Sequence, residues 1–239
     1  MMRIRAGGAV LAALVLFLVS SHGWALGMTP MSMELSASGS GSRSHFVVKN
    51  DGAAPAAVEV TVETLSYTED GKSIRTPVDD ETLLISPSAA MIKPGASQVF
   101  RVQWVGEPDV RRSYLVMATQ LPLRDRSGKP VVQITQAFGA IVVVSPPNGR
   151  SDLRLVDAKA VNTADGKPAL SILVENPTGV HALISRTALR IGETVLQPGD
   201  MRVRVGLGVV EPGKRRRFVV PLDAPVAGQR VTLEYRNER

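Results

Sequence analysis

The sequence contains no cysteine. It therefore forms no disulfide bond, and thiol chemistry and cysteine-ligated metal sites are excluded. A chain without disulfides must be stabilised by burying apolar side chains. Its 239 residues are enough for two domains of roughly 100 residues each, and each such domain can bury a core of its own.

Histidine and aromatic residues are scarce as well. Aromatic residues make up 4% of the chain, which is too few to form the stacking platform of a nucleic-acid binder. Only His45 and His181 follow residue 25, and the sequence has no HExxH, GxSxG or glycine-rich phosphate-binding motif. We therefore predict that the protein is not an enzyme, needs no metal or other cofactor and binds no nucleic acid. A hydrolase with a Ser–His–Asp triad built on either histidine stays open as the enzymatic alternative.

A long apolar run opens the chain, and no second run of that kind follows it. Arg3 and Arg5 precede an apolar segment over residues 9–19, and a small-x-small pattern follows at Gly23 and Ala25. This order is typical of a secretory signal peptide, and the segment is too short to span a bilayer comfortably. We predict a signal peptide over residues 1–25, export to the periplasm, and no stable membrane insertion after cleavage.

Charge is distributed unevenly after the signal peptide. Residues 26–145 hold 11 basic and 12 acidic residues, a net charge of −1, whereas residues 146–239 hold 15 and 10, a net charge of +5. Such an asymmetry indicates an acidic partner. The basic run from Lys214 to Arg217 is interpreted as a solvated strand end or turn.

Charge and proline are both absent from the stretch Val131–Ser145, which reads VVQITQAFGAIVVVS. Its period-two alternation and many β-branched residues predict a strand, longer than the usual strand of about five or six residues. The first half is partly polar and the second half is apolar on both faces, which predicts a strand that starts at a sheet edge and ends inside a sandwich. Long uncharged edges are normally suppressed because they aggregate, so we predict that this edge pairs with another chain. An ordinary long core strand is the alternative.

The rest of the sequence consists of short alternating runs separated by Gly, Pro, Asn and Asp. Their number and spacing predict an immunoglobulin-like β-sandwich over residues 26–145 and a second, smaller one over 151–239. The segment Pro146–Arg150, with two prolines and Asn-Gly, is the predicted hinge. No helix is predicted beyond the signal peptide, and Arg202–Val205 is predicted as a strand.

The order of several segments resembles that of the periplasmic chaperones of the chaperone–usher pathway, which assemble pili and fimbriae. The matching segments are Phe46–Gly52 (FVVKNDG), Ile92–Val102 (IKPGASQVFRV), Tyr114–Pro122 (YLVMATQLP) and Val174–Gly179 (VENPTG), together with the long strand that ends before Pro146. No single segment is specific, but their order and spacing are. The resemblance covers nearly the whole mature chain and implies an all-β fold of two immunoglobulin-like β-sandwich domains joined at an angle.

The resemblance also implies a function. Such chaperones insert their long strand into the groove of an incomplete pilus or fimbrial subunit, a case of strand addition known as donor-strand complementation, and deliver the subunit to an outer-membrane usher. Aligning the end of the strand with Pro146 assigns the donated face to Val132, Ile134, Gln136 and Phe138. Val142 and Val144, which continue this face, are predicted to be core residues of the protein itself. The same edge offers a route to self-association.

One departure from the family concerns the subunit's terminal carboxylate. Family members usually bind it with an Arg on the first strand and a Lys late in the long strand, and this chain has neither residue. Arg101 and Arg112 are the predicted substitutes. The alternative to a chaperone is an exported β-sandwich subunit or adhesin of a surface fibre.

Overall fold

The computed structural model describes residues 26–78, 81–122 and 135–236. The predicted signal peptide and two residues of the predicted donated face, Val132 and Ile134, lie outside these residues. The described chain folds into β-strands with one short α-helix, so the all-β prediction is confirmed.

Two sheets form the N-terminal sandwich. Sheet A has the order β1 (Leu26–Thr29), β3 (Arg43–Asn50), β8 (Ser97–Trp104) and β6 (Leu83–Ser86). Sheet B has the order β2 (Ser32–Ser36), β10 (Ala137–Ser145), β9 (Arg112–Leu121), β4 (Ala56–Tyr67) and β5 (Ser73–Pro77), with β7 (Ala89–Ile92) beside β4. Because Pro30 separates β1 from β2, the first segment of the domain contributes one strand to each sheet.

The core of this domain lies between the two sheets. Along β3 and β8 every second side chain is buried, and the rings of Phe46 and Phe100 stack with centroids 5.1 Å apart. Val116 and Val142 face them from sheet B and are fully buried. Burial of one such apolar side chain contributes ~1.5–3 kcal/mol, so the alternating strands supply the stabilisation that disulfides would otherwise add.

The C-terminal sandwich is smaller. Its strands are β11 (Arg154–Asn162), β12 (Pro168–Glu175), β13 (Ala182–Leu183), β14 (Thr187–Ile191), β15 (Thr194–Leu196), β16 (Val209–Val210), β17 (Arg215–Pro221) and β18 (Val231–Tyr235). They form sheets of order β11-β12-β17 and β15-β14-β18, and β13 pairs with β16. Ile172, Leu189 and Phe218 lie in its core.

The one α-helix of the described residues, α1 (Pro198–Val205), corrects the sequence analysis, which predicted a strand over Arg202–Val205. The Asp200 carboxylate accepts a hydrogen bond from the Gln197 backbone N–H at 2.8 Å, and Pro198 occupies the first turn. These are start signals of a helix. The Arg-Val alternation imitates a strand over four residues only, too short a run to outweigh the cap.

Candidate functional site

Strand β10 has two different surroundings along its length. Its second half, from Ile141 to Ser145, lies between β2, which runs parallel to it, and β9, which is antiparallel. Its first half, from Ala137 to Ala140, pairs only with β9 in the part of the chain that the structure describes. The strand therefore begins at a sheet edge and ends inside the sheet, as predicted.

The hydrogen bonds around β10 show which backbone groups point to the open edge. The Gln120 N–H donates to the Gln136 carbonyl at 2.8 Å, so the even-numbered residues exchange hydrogen bonds with β9. On the other side, the Ile141 N–H donates to the Met31 carbonyl at 3.0 Å. The odd-numbered residues thus point outwards, and Ala137 and Gly139 present their N–H and C=O groups at the open edge.

The side chains of the even positions point into the N-terminal core. Val142 and Val144 are fully buried, which confirms that they are core residues. Phe138 is half-buried and packs against the same core, while the Gln136 Oε1 accepts a hydrogen bond from the Leu26 N–H at 2.9 Å. Both residues of the predicted donated face that the structure describes therefore have contacts within the chain. Whether this face is donated stays a prediction.

The opposite side of β10 is apolar and faces the second domain. A Cβ added at Gly139 would come within 3.0 Å of the side chains of Leu115 and Met117, so glycine lets these two side chains cover the strand. Further along, Val143 packs with Leu183 and Val209 of the second domain. The open edge is thus flanked by an apolar surface that continues into the domain interface.

Polar contacts join the domains beside the end of β10. The Ser145 hydroxyl lies 2.8 Å from the His181 Nδ1, and the Arg186 guanidinium binds the Glu34 carboxylate at 2.6 and 3.1 Å. These four residues line a cleft of ≈ 420 Å³ between the domains. Burial, helped by the nearby positive charge of Arg111, lowers the pKa of His181 to about 4.

Part of the basic run belongs to the domain interface, which corrects its interpretation as a solvated strand end. The Arg216 guanidinium stacks on the Tyr67 ring of the first domain, 3.4 Å from its centroid, and donates a hydrogen bond to the Val209 carbonyl at 2.6 Å. Burial lowers the pKa of Arg216 from its ordinary value. Its neighbours Arg215 and Arg217 do lie near carboxylates at the partly exposed face of β17.

The two predicted carboxylate anchors lie in different places. Arg112 is exposed at the start of β9, opposite Val144, and is close to the hinge. Arg101 lies on the outer face of sheet A, whereas β10 belongs to sheet B, and the core of the domain separates the two. Both assignments stay predictions, and Arg112 is the nearer of the two to the open edge.

The side chains of Ser145 and His181 contact each other at this junction, and this pair bears on the hydrolase alternative. The serine oxygen meets the Nδ1 of the ring, while the Nε2 is buried without a hydrogen-bond partner among the described residues. A catalytic triad needs an acid that orients the second ring nitrogen. Within the same residues, no cluster of acidic and histidine side chains suits a metal ion.

The sequence analysis missed the residues that join the domains. Glu34 and Arg186 are 152 residues apart in the sequence, and neither belongs to a motif. The one local signal is the basic run around Arg216. A search of the described residues also finds no helix of the length and apolar character needed to cross a membrane.

Comparison with protein-family models found no match, and neither did comparison with curated proteins. Solved structures do match. The class 5 fimbriae chaperone CfaA gives a TM-score of 0.53 over 90% of this chain and 100% of its own, at 11% sequence identity. A chain of the CsuC–CsuE chaperone–tip subunit complex from archaic chaperone–usher pili of Acinetobacter baumannii gives 0.52 over 87% and 97%, at 17% identity.

A third structure, the SafA pilin in complex with the SafB chaperone from Salmonella enterica, contains a chain that matches with a TM-score of 0.51 over 89% of this chain and 96% of its own, at 13% identity. These likenesses establish the fold. The chain has the two-domain, immunoglobulin-like architecture of these pilus chaperones, and the resemblance inferred from the sequence is confirmed at this level.

Proposed function

We propose that the protein is a periplasmic chaperone that binds pilus or fimbrial subunits by donor-strand complementation. In this function the subunit is an incomplete β-sandwich, and the open edge of β10 supplies the strand that it lacks. The chaperone then delivers the subunit to an outer-membrane usher. Binding is passive and needs no nucleotide, because the sequence has no phosphate-binding loop.

The observation that carries this proposal is the edge at Ala137–Ala140, which pairs only with β9 among the described residues. Unpaired N–H and C=O groups at a sheet edge are a template for another strand. Here the edge is uncharged, lies next to a half-buried Phe138 and is flanked by the apolar Leu115 and Met117. Backbone hydrogen bonds supply affinity along such an edge, and alternate side chains supply specificity.

The fibre-subunit alternative is tested by what the protein does to a partner. A chaperone keeps a candidate subunit monomeric in a one-to-one complex, whereas a fibre subunit polymerises with its own kind. Size-exclusion chromatography of the purified mature protein, alone and with subunits co-expressed in the periplasm, separates the two. The fold of the matching chaperones favours the first outcome.

The variant Ala137→Pro tests the edge directly. The Ala137 N–H points away from β9, so proline removes an outward donor and no hydrogen bond of the existing ladder. We expect at least a tenfold loss of subunit binding, measured by co-purification or calorimetry, with thermal unfolding close to that of the wild type. Ala137→Ser keeps the N–H and serves as the matched control. Normal binding by Ala137→Pro would rule out strand addition at this edge.

A further inference from the structure

The outward surface of sheet A carries basic side chains and no acidic ones. Since Phe46, Val48, Phe100 and Val102 are buried, the residues between them point to solvent. The outward residues of the four strands are Gly27, Thr29, Arg43, His45, Val47, Lys49, Leu84, Ser86, Ser97, Val99, Arg101 and Gln103. The surrounding domain, residues 26–145, has a net charge of −1, so this surface does not simply reflect the composition of the domain.

The basic groups converge on one groove. His45 lies directly opposite Arg101, and Arg43 lies opposite Gln103, so the two arginines are diagonal neighbours on adjacent strands. Diagonal pairs on a sheet are ~7–8 Å apart, within reach of long side chains. The groove has a volume of ≈ 380 Å³ and is lined by these residues and by Val99, which is 46% exposed. We refer to Arg43, His45, Val99 and Arg101 as the basic face.

No carboxylate of the described chain forms an ion pair with either arginine of the basic face. Basic side chains held together on a sheet repel one another, and a direct like-charge pair is destabilising. Three arginines on other strands, Arg75, Arg215 and Arg217, each lie 3.6–3.7 Å from a carboxylate oxygen. Among the residues that the structure describes, the arginines of the basic face therefore have no counter-charge.

We propose that the basic face binds an acidic, extended segment of a partner protein. Guanidinium groups accept carboxylates in a bidentate geometry, and Val99 provides the apolar contact that a side chain of a peptide would make. The scarcity of aromatic residues argues against nucleic acid. This site lies on the sheet opposite the open edge of β10, so the inference does not rest on the proposed function, and a partner bound here leaves that edge accessible.

The test uses the mature protein and a fluorescently labelled twelve-residue peptide of alternating Glu and Val, with a Gln/Val peptide of the same length as control. We expect the acidic peptide to bind with an affinity that falls as salt rises, and the Gln/Val peptide to bind at least tenfold more weakly. The double variant R43Q/R101Q should lose at least tenfold in affinity. A charge-matched double variant in the second domain, R190Q/R202Q, should bind as the wild type does.

Backbone amide NMR shifts locate the bound peptide. Shifts confined to β3 and β8 support the basic face, whereas shifts confined to β10 would show that the peptide adds to the open edge instead and would overturn the proposal. If both double variants lost the same affinity for the acidic peptide, binding would depend on net charge alone, and the proposal would also be overturned. Vesicles containing phosphatidylglycerol are the second probe, since R43Q/R101Q-sensitive binding of vesicles without binding of the acidic peptide would make this a lipid-binding surface.

Discussion

His181 is a buried base at the point where β10 passes into the second domain. Its Nδ1 contacts the Ser145 hydroxyl, and its Nε2 has no hydrogen-bond partner among the described residues. The positive charge of Arg111 lies nearby, and the charged pair Glu34–Arg186 lines the same cleft. A protonated His181 ring would be a second cation near Arg111, and its buried Nε2 would have no hydrogen-bond partner among the described residues. Burial therefore lowers the pKa of the ring.

The first prediction concerns the pH dependence of stability. The pKa of His181 is about 4 in the folded protein and 6.5 ordinarily, so between pH 6.5 and 4 the unfolded chain binds a proton that the folded chain does not. The free energy of unfolding should therefore fall as the pH is lowered through this window, by up to about 3 kcal/mol from this residue. NMR titration of the ring protons measures the pKa directly.

The variant for this prediction is His181→Asn, which removes the buried base and should flatten the dependence of urea unfolding on pH between 6.5 and 4. Equal slopes in wild type and His181→Asn, or a ring that titrates at its ordinary pKa, would contradict this account of the junction.

At the scale of the element, β10 defines the side chains that a partner would meet. Its even positions face the core of the first domain as far as Phe138, and Ile134 continues the same alternation along the sequence. If the strand is donated, the Ile134 side chain enters the apolar groove of the subunit, where a carboxylate without a partner is very costly. Ile134→Asp should then lower subunit binding at least tenfold, with thermal unfolding near that of the wild type.

Gln133→Asp is the control for this second prediction, because the predicted alternation assigns Gln133 to the opposite face and this variant should be milder. A one-residue change of register exchanges the two faces completely. If Gln133→Asp is the more damaging variant for binding, the donated face is the odd-numbered one. If Ile134→Asp unfolds the protein as severely as it weakens binding, Ile134 belongs to the core of the protein itself.

Elements with a clear alternation were the ones that sequence analysis predicted. The strands around Phe46, Val60 and Phe100 bury every second residue, so apolar residues recur at every second position of their sequences. Strands β1, β5 and β7 were not predicted. Strand β5 is exposed along its whole length, so it has no buried face to leave such a period, and its structure depends on backbone pairing with β4.

Some features of the candidate site could likewise be predicted from the sequence, and others could not. The open edge was predictable because an uncharged stretch with strand-like alternation is visible in the sequence. Its length was not, because β10 begins at Ala137, and Thr135 and Gln136, which were predicted to belong to the strand, lie outside it. The outward direction of Ala137 and Gly139 was not, since it depends on the register with β9. The anchors Arg101 and Arg112 were chosen by charge alone, and charge carries no information about which sheet a residue joins.

For the whole molecule, the orientation of the two domains depends on a small contact region. An apolar cluster around Val143, Leu183 and Val209 forms its centre. Backbone pairing adds to it, because the Arg217 N–H donates to the Glu69 carbonyl at 2.6 Å. The interface lies directly beside β10, so a change in domain orientation would alter the space next to the open edge in which an added strand would lie.

The last prediction tests this coupling through Tyr67, whose ring packs against the apolar cluster and beneath the Arg216 guanidinium. A cation over an aromatic ring contributes roughly 0.5–2 kcal/mol, more when it is desolvated. Tyr67→Ala removes the ring and leaves a half-buried cation without its contact, so the domains should separate into two calorimetric transitions and residual dipolar couplings should show a changed orientation. Tyr67→Phe keeps the ring and should resemble the wild type. A single unchanged transition in Tyr67→Ala would mean that the apolar cluster alone fixes the orientation, because the cost of exposing Arg216 would then be too small to uncouple the domains.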